Sequence, residues 1–146
     1  MNRIVLAIIT NPERNLFYLQ LKDDTYHVEE LRNTYTFFGG GVEEGEEGRE
    51  ALRREMYEEL ELEAAELIER KAKFISKEKM ITRYGPHKGN PIEYTIFESI
   101  LSQGNLEKIA KLPIKEGEKG SLIKKVDLKN TEFNFGKILD RYFELI

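Results

Sequence analysis

Apolar and polar positions along the chain fall into runs of two periods. Arg3 to Thr10 is rich in Ile and Val and alternates weakly, which predicts a strand. Asn11-Pro12-Glu13-Arg14-Asn15 carries turn residues, and Leu16 to Leu21 reads as the returning strand. Lys22 to Arg32 is polar and predicts a loop, after which Thr34 to Phe38 is β-like and runs into three glycines. The period then changes. Leu52, Met56 and Leu60 recur every four residues, so a helix is expected from near Gly48 to near Leu60. Ala72 to Arg83 and Ile92 to Leu101 predict two further strands, with Tyr84 to Pro91 joining them as a hairpin-like loop. Leu106 to Glu116 fits neither period cleanly, and Ser121 to Val126 suits another strand. Phe135 to Leu145 predicts a closing helix, capped by Asn134, with Ile138, Leu139, Tyr142 and Phe143 facing the core. Strands interleaved with helices in this order indicate an α/β or α+β fold.

Composition narrows the function classes. A chain of 146 residues with 40% apolar residues suits one domain, residues 1–146, with a real core. It has no apolar run near the length that spans a bilayer and no signal-peptide pattern, so the expected location is cytoplasmic and no membrane partner is expected. Without cysteine there are no disulfides, thiolate metal sites or cysteine nucleophiles. The net charge of −4 argues against duplex nucleic acid, which needs a basic footprint. A small phosphorylated ligand is a different matter, because metal ions can hold it and metals need acidic ligands.

The chemistry concentrates between Gly39 and Leu62. Glu55, Glu58 and Glu59 stand at i, i+3 and i+4, one face of the predicted helix, and Glu46 lies just upstream. Such a patch of hard oxygens suits Mg²⁺ or Mn²⁺, and these ions neutralise phosphate charge. Gly39, Gly40 and Gly41 would let the backbone turn tightly and approach phosphates. Arg54 precedes Glu58 by four residues, within ion-pair reach, and Ala51 beside the carboxylates would leave room for metal and phosphate. The ordinary alternative is a solvated, salt-bridged helix.

The spacing is what sets this stretch apart. Gly40, Glu46, Arg54, Glu55, Met56, Glu58, Glu59 and Leu62 occupy, in one ungapped register, eight of the nine specified positions of the Nudix box. The chain therefore resembles the Nudix hydrolase family. Glu61 is the departure, because the family places glycine there. A left-handed residue commonly ends a helix at such a point, and glutamate held in that conformation would cost about 1 kcal/mol. Arg3 to Phe38 is similar to the strands that precede the box, although many members have proline where Phe38 stands. Lys115-Glu116-Gly117 resembles an acidic loop of some members.

The resemblance implies a mixed β-sheet sandwiched between α-helices. It also implies a Mg²⁺- or Mn²⁺-dependent hydrolase of nucleoside diphosphate-X compounds, and it admits a homodimer. Glu55, Glu58, Glu59 and the Gly40 carbonyl would bind metal, while Arg54 would orient carboxylates including Glu46. A nucleoside triphosphate is the first expectation for the substrate, with a nucleotide sugar or dinucleoside polyphosphate as the alternative. A nucleotide-sensing module without turnover is a reading of another class. The general base would be a box glutamate or a loop acid, Glu116 before Glu118, although both loop acids also suit a solvated loop. Tyr18, Phe37, Phe38, Tyr84, Tyr94 and Phe97 are candidates to stack a base, but strand aromatics usually fill cores. Phe38 and Tyr84 are the expected substrate contacts among them, and Asn134 could read a base edge. Arg83 and Lys88 could meet a distal phosphate. His27 and His87 have no partners at metal-ligand spacing and receive no role.

Overall fold

A computed structural model describes residues 2–146. The long apolar run of β1 (Asn2–Thr10) forms the centre of a seven-stranded mixed sheet. It pairs antiparallel with β2 (Leu16–Leu21) and β4 (Phe38–Gly41), and parallel with β6 (Pro91–Ile100). β6 continues to β5 (Ala72–Ile81), while β2 also pairs with the short β3 (Tyr35–Thr36) and with β7 (Lys119–Lys124). Side chains alternate across a strand, so β1 feeds two apolar layers at once. Val5, Ala7 and Ile9 pack on one face with Leu52 and Met56 of α1 (Gly48–Glu59), Ala64, Ala65 and Ile68 of α2 (Leu62–Lys71), and Leu106 and Ile109 of α3 (Gln103–Ala110). Leu6 and Ile8 pack on the other face with Ile138, Leu139 and Tyr142 of α4 (Gly136–Leu145). Burial on both faces explains why the alternation of β1 is weak. The result is the expected sandwich of a mixed sheet between helices.

The predicted strands and closing helix lie close to where the periodicity puts them. Three local expectations are corrected. First, Gly39 to Gly41 do not form a turn. They continue β4 along β1, with Gly40 opposite Val5. Gly39 has φ +149°, and a Cβ there would lie 2.0 Å from the Val5 carbonyl oxygen, so glycine serves close strand approach at this position. The turn follows at Glu43 to Glu46, with Gly45 at φ +82°. Second, Asn134 does not cap α4. Phe135 occupies the cap position, and the Asn134 side chain donates instead to the Thr34 hydroxyl. Third, two helices are added. Ala64, Ala65 and Ile68 line α2 in a stretch with no prior assignment, and Ser102 caps α3 by accepting from the Asn105 N–H at 3.1 Å, in and before the ambiguous region.

The exit of α1 explains Glu61. The helix stops because Leu60 swings to extended backbone, φ −124°, and bridges to Ile114. Glu61 follows at φ −62° and ψ 152° as the N-cap of α2. It never enters the left-handed region, so glutamate costs nothing there. Replacing Glu61 with glycine should therefore shift unfolding free energy by less than about 0.5 kcal/mol in a urea titration. A gain near the 1 kcal/mol scale of a relieved left-handed residue would show that the exit geometry is wrong.

Candidate active site

Four parts of the fold meet at one edge of the helix-side layer. They are β4, the outer edge of α1, the end of β2 and the loop 114–118. Helical spacing brings Arg54, Glu55, Glu58 and Glu59 to this edge. Met56 and Leu52 face inward and fix the rotation of α1. Ala51 lies with them, wholly buried, so its small side chain serves helix–sheet packing and leaves no open space for a ligand.

Arg54 organises the outer acids. Its Nε and Nη2 donate to the two carboxylate oxygens of Glu46 at 2.8 and 2.9 Å, a bidentate pair. Nη2 also donates to the Gly41 carbonyl at 2.7 Å. Nη1 donates to Glu55 at 2.9 Å and to Glu58 at 3.3 Å. Hydrogen bonds from Arg54 hold the Glu46 carboxyl down at about 2, and the same acids hold the guanidinium protonated well above its usual range. Lysine could not replace this fork with one point charge.

Glu55 and Glu59 are held differently. The Glu55 carboxylate fills the space beside Gly40, where an added Cβ would sit 2.4 Å from the carboxylate carbon. Burial pushes its pKa up against the pull of Arg54. Glu59 is 1% exposed. Its Oε1 accepts from the Gly39 N–H at 2.9 Å and its Oε2 from Gln20 Nε2 at 3.1 Å. Burial drives it upward, with the negative charges of Glu55 and Glu116 adding to the effect. Lys22, half-buried at the exit of β2, opposes it, while Lys22 itself is driven downward by desolvation. Glu58 is the open member, its side chain 48% exposed.

Glu116 reaches the same edge from the far side. Its loop is bonded to α1 through the Lys115 N–H, which donates to the Glu59 carbonyl at 2.7 Å. The Glu116 charge acts on Glu55, Glu59 and Lys22. Glu118 donates its N–H to the Leu21 carbonyl, and its side chain is solvated.

Among the described residues, no three acidic or histidine side chains converge on one point. Arg54 lies between Glu55 and Glu58, and Glu59 turns inward. The donor set still fits Mg²⁺, which takes one or two carboxylates and completes its shell with water and substrate phosphate. The cradle at Gly40 brings a carboxylate against the backbone, and the upward pressure on Glu55 and Glu59 is what a cation would relieve.

A cavity of about 360 Å³ opens beside this edge. Gly39, Gly40 and Lys22 border it nearest the carboxylates. Tyr84, Asn134 and Phe135 are among its other walls. Of the expected ligand contacts, Gly39, Gly40, Tyr84 and Asn134 therefore line it. Gly41 does not line it and instead offers its carbonyl to Arg54. Phe38 is a correction: it is wholly buried, stacked on Tyr18 with ring centroids 5.0 Å apart, so no base can reach its face. Phe37 packs against Phe133 and Phe135 but, unlike Phe38, forms part of the cavity wall, as does Tyr94. Arg83, His27 and His87 also border the cavity, whereas Lys88 stands outside it. Lys22, Tyr26 and Gln20 escaped the sequence reading. A lone lysine at a strand exit, followed by Asp23 and Asp24, resembles any solvated turn.

No curated protein matches the chain. Solved structures do. A MutT protein from Methanosarcina mazei Go1 matches with TM-score 0.67 and 15% identity over 98% of this chain and 93% of that one. A mutT/nudix family protein from Listeria innocua gives TM-score 0.65 and 20% identity over 98% and 90%. The NUDIX domain of Shewanella oneidensis NrtR, complexed with ADP ribose, gives 0.66 and 10% over 97% and 86%. These likenesses concern the fold. The NUDIX domain family matches residues 1–121, most of the chain and the whole of the box, and the chain belongs to that family of pyrophosphohydrolases, which act on phosphoric anhydride bonds.

Proposed function

We propose that this chain is a Mg²⁺- or Mn²⁺-dependent hydrolase of nucleoside diphosphate-X compounds, with a nucleoside triphosphate as its first substrate. The supporting observation is the cavity of about 360 Å³ that abuts the carboxylate edge at Gly39 and Gly40. That volume lies at the small end of ligand pockets, which run from about 300 to 1,000 Å³, and it suits one nucleoside better than two. A dinucleoside polyphosphate is the poorer fit for that reason. A nucleoside diphosphate sugar is the alternative, since the NrtR domain of similar fold was solved with ADP ribose.

In this reading Glu55, Glu58, Glu59 and the Gly40 carbonyl hold the metal. When bound, the metal neutralises phosphate charge and lowers the pKa of water. Arg54 contributes by orientation: it keeps Glu55 and Glu58 spread on one side and Glu46 locked on the other. Lys22 offsets negative charge at the junction of cavity and carboxylates. Glu116 accepts the proton of the attacking water, from a loop pinned to the end of α1. At the base end, Tyr84 offers an aromatic face. Asn134 spends its amide N–H on Thr34 and keeps its carbonyl oxygen for a donor on the base edge.

Incubation with Mg²⁺ and a panel of nucleoside triphosphates and nucleoside diphosphate sugars should release phosphate or pyrophosphate. Glu58→Gln and Glu59→Gln should each slow release at least about tenfold. Absence of turnover with either metal would leave a nucleotide-sensing module as the surviving reading. Unchanged rates in both variants would displace the site.

Stability should depend on pH in a set direction. Burial raises the Glu59 pKa in the fold, so the folded protein keeps a proton that the unfolded chain releases above the ordinary carboxylate range. Its destabilising effect is absent below that range and grows as pH rises through it. Metal-free protein should therefore melt lower at about pH 8 than at about pH 5, and Glu59→Gln should flatten the difference. Equal melting temperatures in the wild type would mean that Glu59 is not carrying this burden.

A further inference from the structure

Gln20 is a buried polar side chain. It sits on β2 with 1% of its surface exposed. Its Nε2 has two hydrogens, and both are used. One goes to Glu59 Oε2 at 3.1 Å and the other to the Glu116 carbonyl at 2.9 Å. The Glu116 carbonyl can only accept, so the nitrogen end of the amide must face it. The cost falls on the other end, because Gln20 Oε1 is buried without a protein partner. Methionine would fill a similar volume with no unpaired oxygen, so packing alone does not account for glutamine here.

The loop beyond Gln20 is fixed by the same small area. Ile114 bridges to Leu60, and the Glu118 N–H donates to the Leu21 carbonyl at 2.8 Å. Gly117 has φ +87°, and a Cβ there would lie 2.8 Å from the Leu21 carbonyl oxygen and 3.1 Å from Gln20 Cγ. The loop thus approaches β2 at a distance that only glycine allows. Glu116 is the residue immediately before this contact.

We propose that Gln20 is a positioning residue for hydrolysis, whose amide ties the Glu59 carboxylate of α1 to the backbone of the loop that presents Glu116. The tie spans two parts of the chain that no motif connects. It rests on the hydrolytic reading given above, with Glu116 as the proton acceptor. Gln20 touches neither water nor substrate in this role. It sets where the loop acid stands relative to the box carboxylates.

The test compares wild type, Gln20→Met, Gly117→Ala, Glu116→Gln and the double variant Gln20→Met/Glu116→Gln. Turnover is read with Mg²⁺ and the same nucleotide panel, and amide hydrogen exchange at Lys115 and Glu118 is read in metal-free protein. Gln20→Met should lower kcat by about 10- to 100-fold, the usual effect of losing a residue that supports metal ligands. KM should stay within about threefold, while the melting temperature should fall somewhat, because Glu59 Oε2 and the Glu116 carbonyl each lose a donor. Exchange at Lys115 and Glu118 should quicken. The double variant should lose little beyond Glu116→Gln alone, because both changes act through one element. Full kcat in Gln20→Met, multiplicative losses in the double variant, or unchanged exchange would each overturn the proposal. Should Gln20→Met not fold, Gly117→Ala decides, and normal kcat there overturns it. A wild type inactive on the whole panel would remove the hydrolytic reading instead, and exchange would still decide whether Gln20 holds the loop.

Discussion

Too many carboxylates stand at the end of one helix, and the surrounding structure is arranged to make that tolerable. A buried carboxylate loses its hydration and is stable only with donors, a proton or a cation nearby. Glu46 obtains a bidentate guanidinium. Glu55 shares that guanidinium and the space that Gly40 leaves beside it. Glu59 has a backbone N–H from β4 and an amide from β2. Each arrangement draws on a different element, so repulsion within α1 becomes a set of bonds between α1, β4, β2 and the loop 114–118.

Those bonds work only because the sheet is stiff. β1 is buried on both faces and holds β4 in register, so Gly39 and Gly40 are presented at fixed places along it. Leu52 and Met56 pack against the same face of the sheet and set the rotation of α1. The apolar layer therefore decides which helix edge reaches the glycines, and the polar contacts refine it. The cavity arises on the opposite side of β4, where Ile138 of α4 and the residues just before that helix, Asn134 and Phe135, form walls. Carboxylate edge and cavity walls are thus carried by different layers that share one glycine strand.

This division explains what could be read in the sequence. Glu55, Glu58 and Glu59 were legible as one face because helical spacing is a local rule, and the Arg54 pairing with Glu58 follows from the same rule. Element limits were legible where period changes, as at Gly48 and Leu16. Gln20 was not legible, because its partners lie 39 and 96 residues away and no local pattern marks them. Lys22 is read as an exposed turn until the fold brings the charges of Glu59, Glu116 and Glu55 to bear on it. Phe38 misled because a strand aromatic beside glycines can face either a ligand or Tyr18, and only the register along β1 decides. The helix α2 was passed over because its buried side chains are mostly alanine, which carries little periodic signal.

Glu61 shows how a family position can change its residue without changing its job. Glycine at such a place permits a left-handed helix exit, but it does not require one. Here Leu60 leaves the helix in extended form and pairs with Ile114, which makes the exit a strand-like contact. That contact begins the loop which Lys115 and Gln20 then fasten to Glu59. The backbone at this exit anchors the loop that carries Glu116. Tolerance of glutamate at one box position and the placement of an acid outside the box therefore both follow from the same local geometry.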